Sequence, residues 1–103
     1  MTSISVVFPL FNEEEYVVRA YEAAVDALAA LTDDFEIILV NDASTDRTAS
    51  IVESLRDKDP RVKVVHNPVN LKLGGTLRAG YAVATRDLVL YTDADLPFDL
   101  REV

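Results

Sequence analysis

The chain has 103 residues, no cysteine and a formal net charge of −8. That length restricts it to one small hydrophobic core, and the missing thiols exclude disulfides and thiolate metal sites. With 18 acidic against 10 basic residues, a general nucleic-acid or anionic-membrane surface is excluded, because both need clustered Lys and Arg. Half of the residues are hydrophobic, which predicts an ordered domain rather than a disordered tail.

The opening "ISVVF", residues 4–8, is a short apolar, β-branched run closed by Pro9, and it reads as a buried strand. It is too short to span a bilayer and lacks a basic flank. A helix is expected next, with Asn12 as N-cap, Glu15 three residues on, and acidic residues filling the first turn. Val17, Val18, Tyr21, Ala24, Val25, Leu28 and Leu31 form its apolar face, and residues 32–34 break it. "EIILVN", residues 36–41, reads as a second buried strand, and "DAST" as a turn with a capping hydroxyl. Thr48, Ile51, Val52 and Leu55 mark the inner face of a second helix that ends at "DKDPR". Residues 62–66 give a third strand, 67–70 a turn, 76–84 a third helix and 88–92 a fourth strand.

The order β-α-β-α-β-α-β predicts a parallel α/β sheet covered on both faces, with right-handed crossovers. Ligands of such sheets bind beyond the carboxyl ends of the strands. Asn12 and Glu13, Asn41 and Asp42, His66 and Asn67, and Asp93 and Asp95 all follow strands, so four separated segments are expected on one rim. Asp93 and Asp95 leave a buried strand together. Two carboxylates about 4 Å apart repel by ~1 kcal/mol in water and ~4 kcal/mol at an effective dielectric of about 20, so a cation is expected between them. All-oxygen ligation suits Mg²⁺ or Mn²⁺, with phosphate oxygens and waters completing the octahedron. Asp57 and Asp59 have the same spacing but lie among Lys, Arg and Pro at a helix end, where a solvated turn explains them.

"VVFPLFNEEE", "ILVNDASTDRT" and "YTDADLPF" together resemble the strand-and-turn motifs of the glycosyltransferase family 2 enzymes, which have the Rossmann-like nucleotide-diphospho-sugar (GT-A) fold. "LGGTLRAGYAVATRDLVLYTDADL" is similar to the segment leading into the Asp-x-Asp motif of polyprenyl- and dolichyl-phosphate sugar transferases. The resemblance covers nearly the whole chain. It implies that Pro9, Phe11 and Glu13 line a nucleotide pocket, that Asp42 faces the base, that Asp93 lies near ribose and metal, and that Asp95 ligates the metal. It also implies that residues 1–103 are the donor-binding part of a metal-dependent inverting glycosyltransferase, a partial fold taking a UDP- or GDP-sugar. The acceptor half, with its catalytic base, would follow Val103; the acceptor would be a molecule such as a polyprenyl phosphate. A cytoplasmic location follows, at the membrane face for the full-length protein, with homo-oligomers expected through an uncovered apolar flank.

The chain departs from the family where Lys72 and Leu73 follow Asn70 and Leu71 in place of a Gly-Lys-Gly loop, and where Pro97 replaces a Gln. Two other classes remain in view. A sugar-1-phosphate nucleotidyltransferase would share architecture and metal, but its glycine-rich loop should follow the first strand, where "PLFNEEE" stands. A non-catalytic nucleotide-binding module is the second. A phospho-acceptor receiver domain would need an Asp where the third strand ends "HNP". His66 is read as structural. Tyr16, Tyr21 and Tyr81 are read as packing, and Asp46 and Thr48 as helix-start partners; Lys72 and Arg78 are left unassigned.

Overall fold

The computed structural model of the chain describes residues 3–94. The elements run β1 (Ile4–Leu10), α1 (Val17–Ala29), β2 (Phe35–Asn41), α2 (Thr48–Lys58), β3 (Val62–His66), α3 (Lys72–Val83) and β4 (Leu88–Tyr91). The four strands pair in parallel in the order β3-β2-β1-β4. β1 therefore lies between β2 and β4, and the chain reverses its direction of travel across the sheet between β3 and β4. That reversal puts a topological switch beside the carboxyl end of β1.

Strand periodicity divides the core. Ile4, Val6, Phe8, Leu10, Ile37 and Leu39 face Val17, Ala24 and Leu28 of α1 and Val52 and Leu55 of α2. Val7, Ile38 and Val40 point the other way, against Leu77 and Ala79 of α3. Full burial of side chains such as Phe8 and Leu28 contributes roughly 1.5–3 kcal/mol each. β1 and β2 are apolar on both faces, as a central parallel strand must be.

Pro9 is inside β1 rather than ending it. Val7 O accepts the Thr92 N–H from the β4 side, whereas Leu10 O accepts the Asp42 N–H from the β2 side. By the alternation of a parallel ladder, Pro9 faces β4, where its missing N–H costs nothing because the pairing stops at Val7 and Tyr91. Beyond that point β1 and β4 separate, and the crevice opens there.

Two helix starts differ from expectation. α1 begins at Val17, with Tyr16 as an N-cap that makes no side-chain bond and no acidic residue in the first turn. Residues 13–16 form a turn in which Glu13 O accepts from the Tyr16 and Val17 N–H groups. Asn12 is not the cap: it sits at φ 54°, and its side chain is used across the loop. Val18 and Leu31, assigned to the inner face, are exposed: the buried stripe runs Val17, Ala20, Ala24 and Leu28, with Val18 turned about 100° from it, and α1 ends at Ala29, before Leu31. α3 begins at Lys72 rather than at residue 76, because Asp42 Oδ1 accepts the Leu71 N–H at 2.8 Å from 29 positions away and Asn70 Oδ1 accepts the Lys72 N–H at 2.9 Å.

Asp59 is a further correction. It is buried, accepts from Tyr21 Oη at 2.6 Å and pairs with Arg61 at 2.9 Å. The Arg61 guanidinium also stacks 4.5 Å from the centre of the Phe35 ring. The bond from Arg61, against the cost of burial, brings the Asp59 pKa down to about 2. Burial and the bond to Asp59 push Tyr21 up to about 12. This carboxylate ties α1 to the α2–β3 turn.

Candidate nucleotide site at the carboxyl edge

The loops after β1 and β2 are stitched to each other. Asn12 Oδ1 accepts the Thr45 N–H at 2.8 Å, while the Asn12 N–H donates to Ser44 Oγ at 3.0 Å. The Glu13 N–H donates to Thr48 Oγ1 at 2.9 Å and the Glu14 N–H to Asp46 Oδ2 at 3.3 Å. Asp46 Oδ1 in turn accepts from the Thr48 N–H at 2.9 Å and from its hydroxyl at 2.6 Å. Asp46 and Thr48 thus serve the start of α2, as the sequence suggests, and also hold the β1–α1 loop in place. Arg47 and Glu14 close the same seam with an ion pair at 3.0 Å.

A cavity of about 340 Å³ lies between this seam and the start of α3, lined by Pro9, Leu10, Phe11, Glu13, Asp42, Asn70, Lys72, Leu73, Thr76 and Asp93. Five of the six residues singled out in the sequence are among them: Pro9, Phe11, Glu13, Asp42 and Asp93. Asp95, the sixth, lies outside the described residues. Phe11 lines the cavity and is 46% exposed, so its ring is accessible for apolar contact.

Asp42 is the buried carboxylate of the site. Burial opposes its charge, but the Leu71 N–H, the Asn67 amide and the Lys72 N–H outweigh that cost and hold its pKa below the ordinary value. Asn67 Nδ2 donates to Asp42 Oδ1 at 2.9 Å. Thr76 Oγ1 adds to the same field, although it is buried and reaches hydrogen-bond geometry with no partner among the described residues. An ionised Asp42 offers acceptors only, so it suits a ligand edge that presents an N–H donor.

Reading the sequence missed the α3 side of the pocket. Asn70, Lys72, Leu73 and Thr76 enter it because α3 starts a turn early, and the signal available was the glycine pair that follows Lys72 and Leu73. His66, placed on the rim, does not line the cavity; its Nδ1 is 3.1 Å from Asn41 Nδ2 and its Nε2 is 2.5 Å from Glu53 Oε1. Since the Asn41 amide nitrogen can only donate, His66 Nδ1 accepts and Nε2 carries the proton. Its structural reading fits these bonds.

For a metal, the chemistry of the donor set is informative. Among the described residues, the cavity lining contains carboxylates and no His, which suits a hard divalent cation. Among the described residues no three His, Cys, Asp or Glu side chains gather as a ligand set. Asp93 is the one member of the expected pair that is seen at the pocket.

The family model for glycosyl transferase family 2 matches residues 5–100. The undecaprenyl-phosphate 4-deoxy-4-formamido-L-arabinose transferase of Proteus mirabilis is 33% identical over 97 residues, covering 93% of this chain and 30% of its own. Among solved structures, a mannosyltransferase from Pyrobaculum calidifontis in complex with GDP-Man and Mn²⁺ superposes with a TM-score of 0.85 at 24% identity, over 98% of this chain and 30% of the other. Glucosyl-3-phosphoglycerate synthase from Mycobacterium tuberculosis, in complex with Mn²⁺, UDP and glucosyl-3-phosphoglycerate, gives 0.66 at 29% identity, over 92% and 34%. The chain spans 16–30% of the length of the first curated relatives it matches. With its parallel sheet, its switch-point crevice and a match over nearly all of its length, the chain belongs to glycosyltransferase family 2 and has the GT-A fold in part.

Proposed function

We propose that residues 1–103 are the donor-binding part of a metal-dependent, inverting glycosyltransferase. The observation that carries this reading is the convergence of residues from the ends of β1, β2 and β4 and the start of α3 on one cavity at the topological switch. Asp42 takes the base: an ionised acceptor pairs with the N–H on the Watson–Crick edge of uracil or guanine and repels the ring-nitrogen lone pair that cytosine or adenine presents there. Phe11 and Pro9 supply apolar contact. Asp93 and Asp95 would hold Mg²⁺ or Mn²⁺, whose chemistry is to offset the charge of the departing diphosphate. The Mn²⁺ in related solved structures supports a divalent cation without choosing between the two. The acceptor, such as a polyprenyl phosphate, would attack the anomeric carbon opposite the diphosphate, with its base supplied from the acceptor half. The name of the Proteus relative supports that acceptor class. A cytoplasmic location, where nucleotide sugars are soluble, fits the same reading.

Calorimetric titration with UDP, GDP, ADP and CDP, each with Mn²⁺ and with chelator, tests the proposal. Binding of UDP or GDP that weakens on chelation and on Asp93→Asn replacement is expected. Equal affinity for all four nucleotides, or indifference to metal, would defeat it.

A further inference from the structure

Among the described residues, Lys72 is the one cation lining the cavity, which it shares with the carboxylates of Glu13, Asp42 and Asp93. Its backbone is left-handed, at φ 63°, a conformation that costs a residue with a Cβ about 1 kcal/mol or more and a glycine nothing. The backbone geometry has a visible purpose. The turn aims successive N–H groups of Leu71 and Lys72 toward Asp42, with Asn70 Oδ1 holding the Lys72 N–H at 2.9 Å. Glycine would make that turn without strain, so the turn does not explain the lysine side chain. The ammonium forms no ion pair among the described residues, despite a chain with an excess of carboxylates. Deeper in the same cavity, Thr76 is 1% exposed, and its hydroxyl, which adds to the field around Asp42, reaches hydrogen-bond geometry with no partner among the described residues.

We propose that Lys72 is a protein-supplied cation for the diphosphate of the bound nucleotide, acting alongside the metal and independently of it. The inference rests on the nucleotide-binding reading above and deepens it by naming the residue that handles phosphate charge on the α3 side. An ammonium with no ion pair among the described residues, at the start of α3, is placed to meet an anion whose base is held by Asp42, and it tolerates varied phosphate geometry because it acts as a point charge on a flexible stem. The positive end of the α3 dipole adds to the same field.

The test uses Lys72→Gly, Lys72→Ala and Lys72→Arg variants of the protein, titrated with UDP and with uridine, and with GDP and guanosine, with Mn²⁺ or chelator. Loss of either neutral variant's charge should weaken diphosphate binding roughly ten-fold, in both metal conditions, while nucleoside binding changes less than about two-fold and Lys72→Arg stays near wild type. Lys72→Gly should melt no lower than wild type, since it relieves the left-handed strain. Wild-type diphosphate affinity in Lys72→Gly would overturn the proposal. So would equal losses for nucleoside and diphosphate, or a loss confined to Lys72→Ala, which would trace the effect to backbone conformation. A wild-type protein that binds no nucleotide at all would instead defeat the donor-binding reading itself.

Discussion

Glu36 is a buried carboxylate in β2, and its partners explain how it is tolerated. Lys63 Nζ lies 2.8 Å from Oε1, the Ser5 hydroxyl donates to Oε2 at 2.7 Å, and the Thr85 N–H donates to Oε2 at 2.8 Å. Burial raises its pKa, but these donors dominate and bring it down to about 2. A depressed pKa means that the stabilisation is complete above the unfolded value near 4.5 and is lost as pH falls toward 2. Glu36→Gln should therefore flatten the pH dependence of stability across that window by up to one proton, ~1.4 kcal/mol per pH unit. Urea midpoints of both proteins between pH 5 and 2.5, within the range where each still folds, would show it; parallel curves would contradict it. Replacing Asp46 with Ala removes acceptors for Thr48 and Glu14 together, and should cost about 1–2 kcal/mol of stability, read from the same midpoints.

At the scale of the elements, α3 sits on the sheet through a glycine. A Cβ added at Gly80 would come within 2.5 Å of Val7 Cγ1 and 3.1 Å of Val40 Cγ2. Both are β-branched side chains in central strands with little freedom to turn away. Gly80→Ala should thus destabilise by about 1–3 kcal/mol, even though alanine is favoured by ~1 kcal/mol in an exposed helix. Gly74, in the same helix, has nothing within 4 Å of the added atom, so Gly74→Ala should stabilise by up to ~1 kcal/mol. Thermal unfolding of the two variants should move in opposite directions. A Gly80→Ala protein as stable as wild type would mean that α3 does not pack as closely as the distances show.

For the molecule as a whole, several of the exposed apolar groups belong to the outermost described strand, β4. β4 pairs only with β1 among the described residues, and Leu88, Val89 and Tyr91 are exposed on it, with Tyr81 and Val83 on α3. An edge strand of this kind invites pairing with a second copy unless charge or covering segments prevent it. Light scattering at increasing concentration is expected to show self-association, and Val89→Lys is expected to reduce it. An unchanged mass for both proteins would remove the homo-oligomer from this account.

The strand positions were legible because short β-branched apolar runs bounded by turn residues mark strands: β3 falls on the residues expected, β2 and β4 differ by one at an end, and β1 runs two residues past its expected end. The α2 inner face was legible from its helical period, which reflects burial against a sheet. Pro9, Phe11, Glu13, Asp42 and Asp93 were selected from local motifs that follow strands, and the parallel topology brought them to one cavity. What tertiary structure alone decided were the interactions whose partners lie far apart in the chain. Asn12 looks like a helix cap locally, yet its side chain meets Thr45; Asp59 looks solvated, yet Tyr21 and Arg61 enclose it. The early start of α3, which brings Lys72 and Thr76 into the cavity, depends on a hydrogen bond from Leu71 to Asp42. Periodicity reports which face of an element is buried, whereas a cap or a pocket wall depends on which polar atoms the fold brings within 3 Å, and that distance is set only once the sheet has formed.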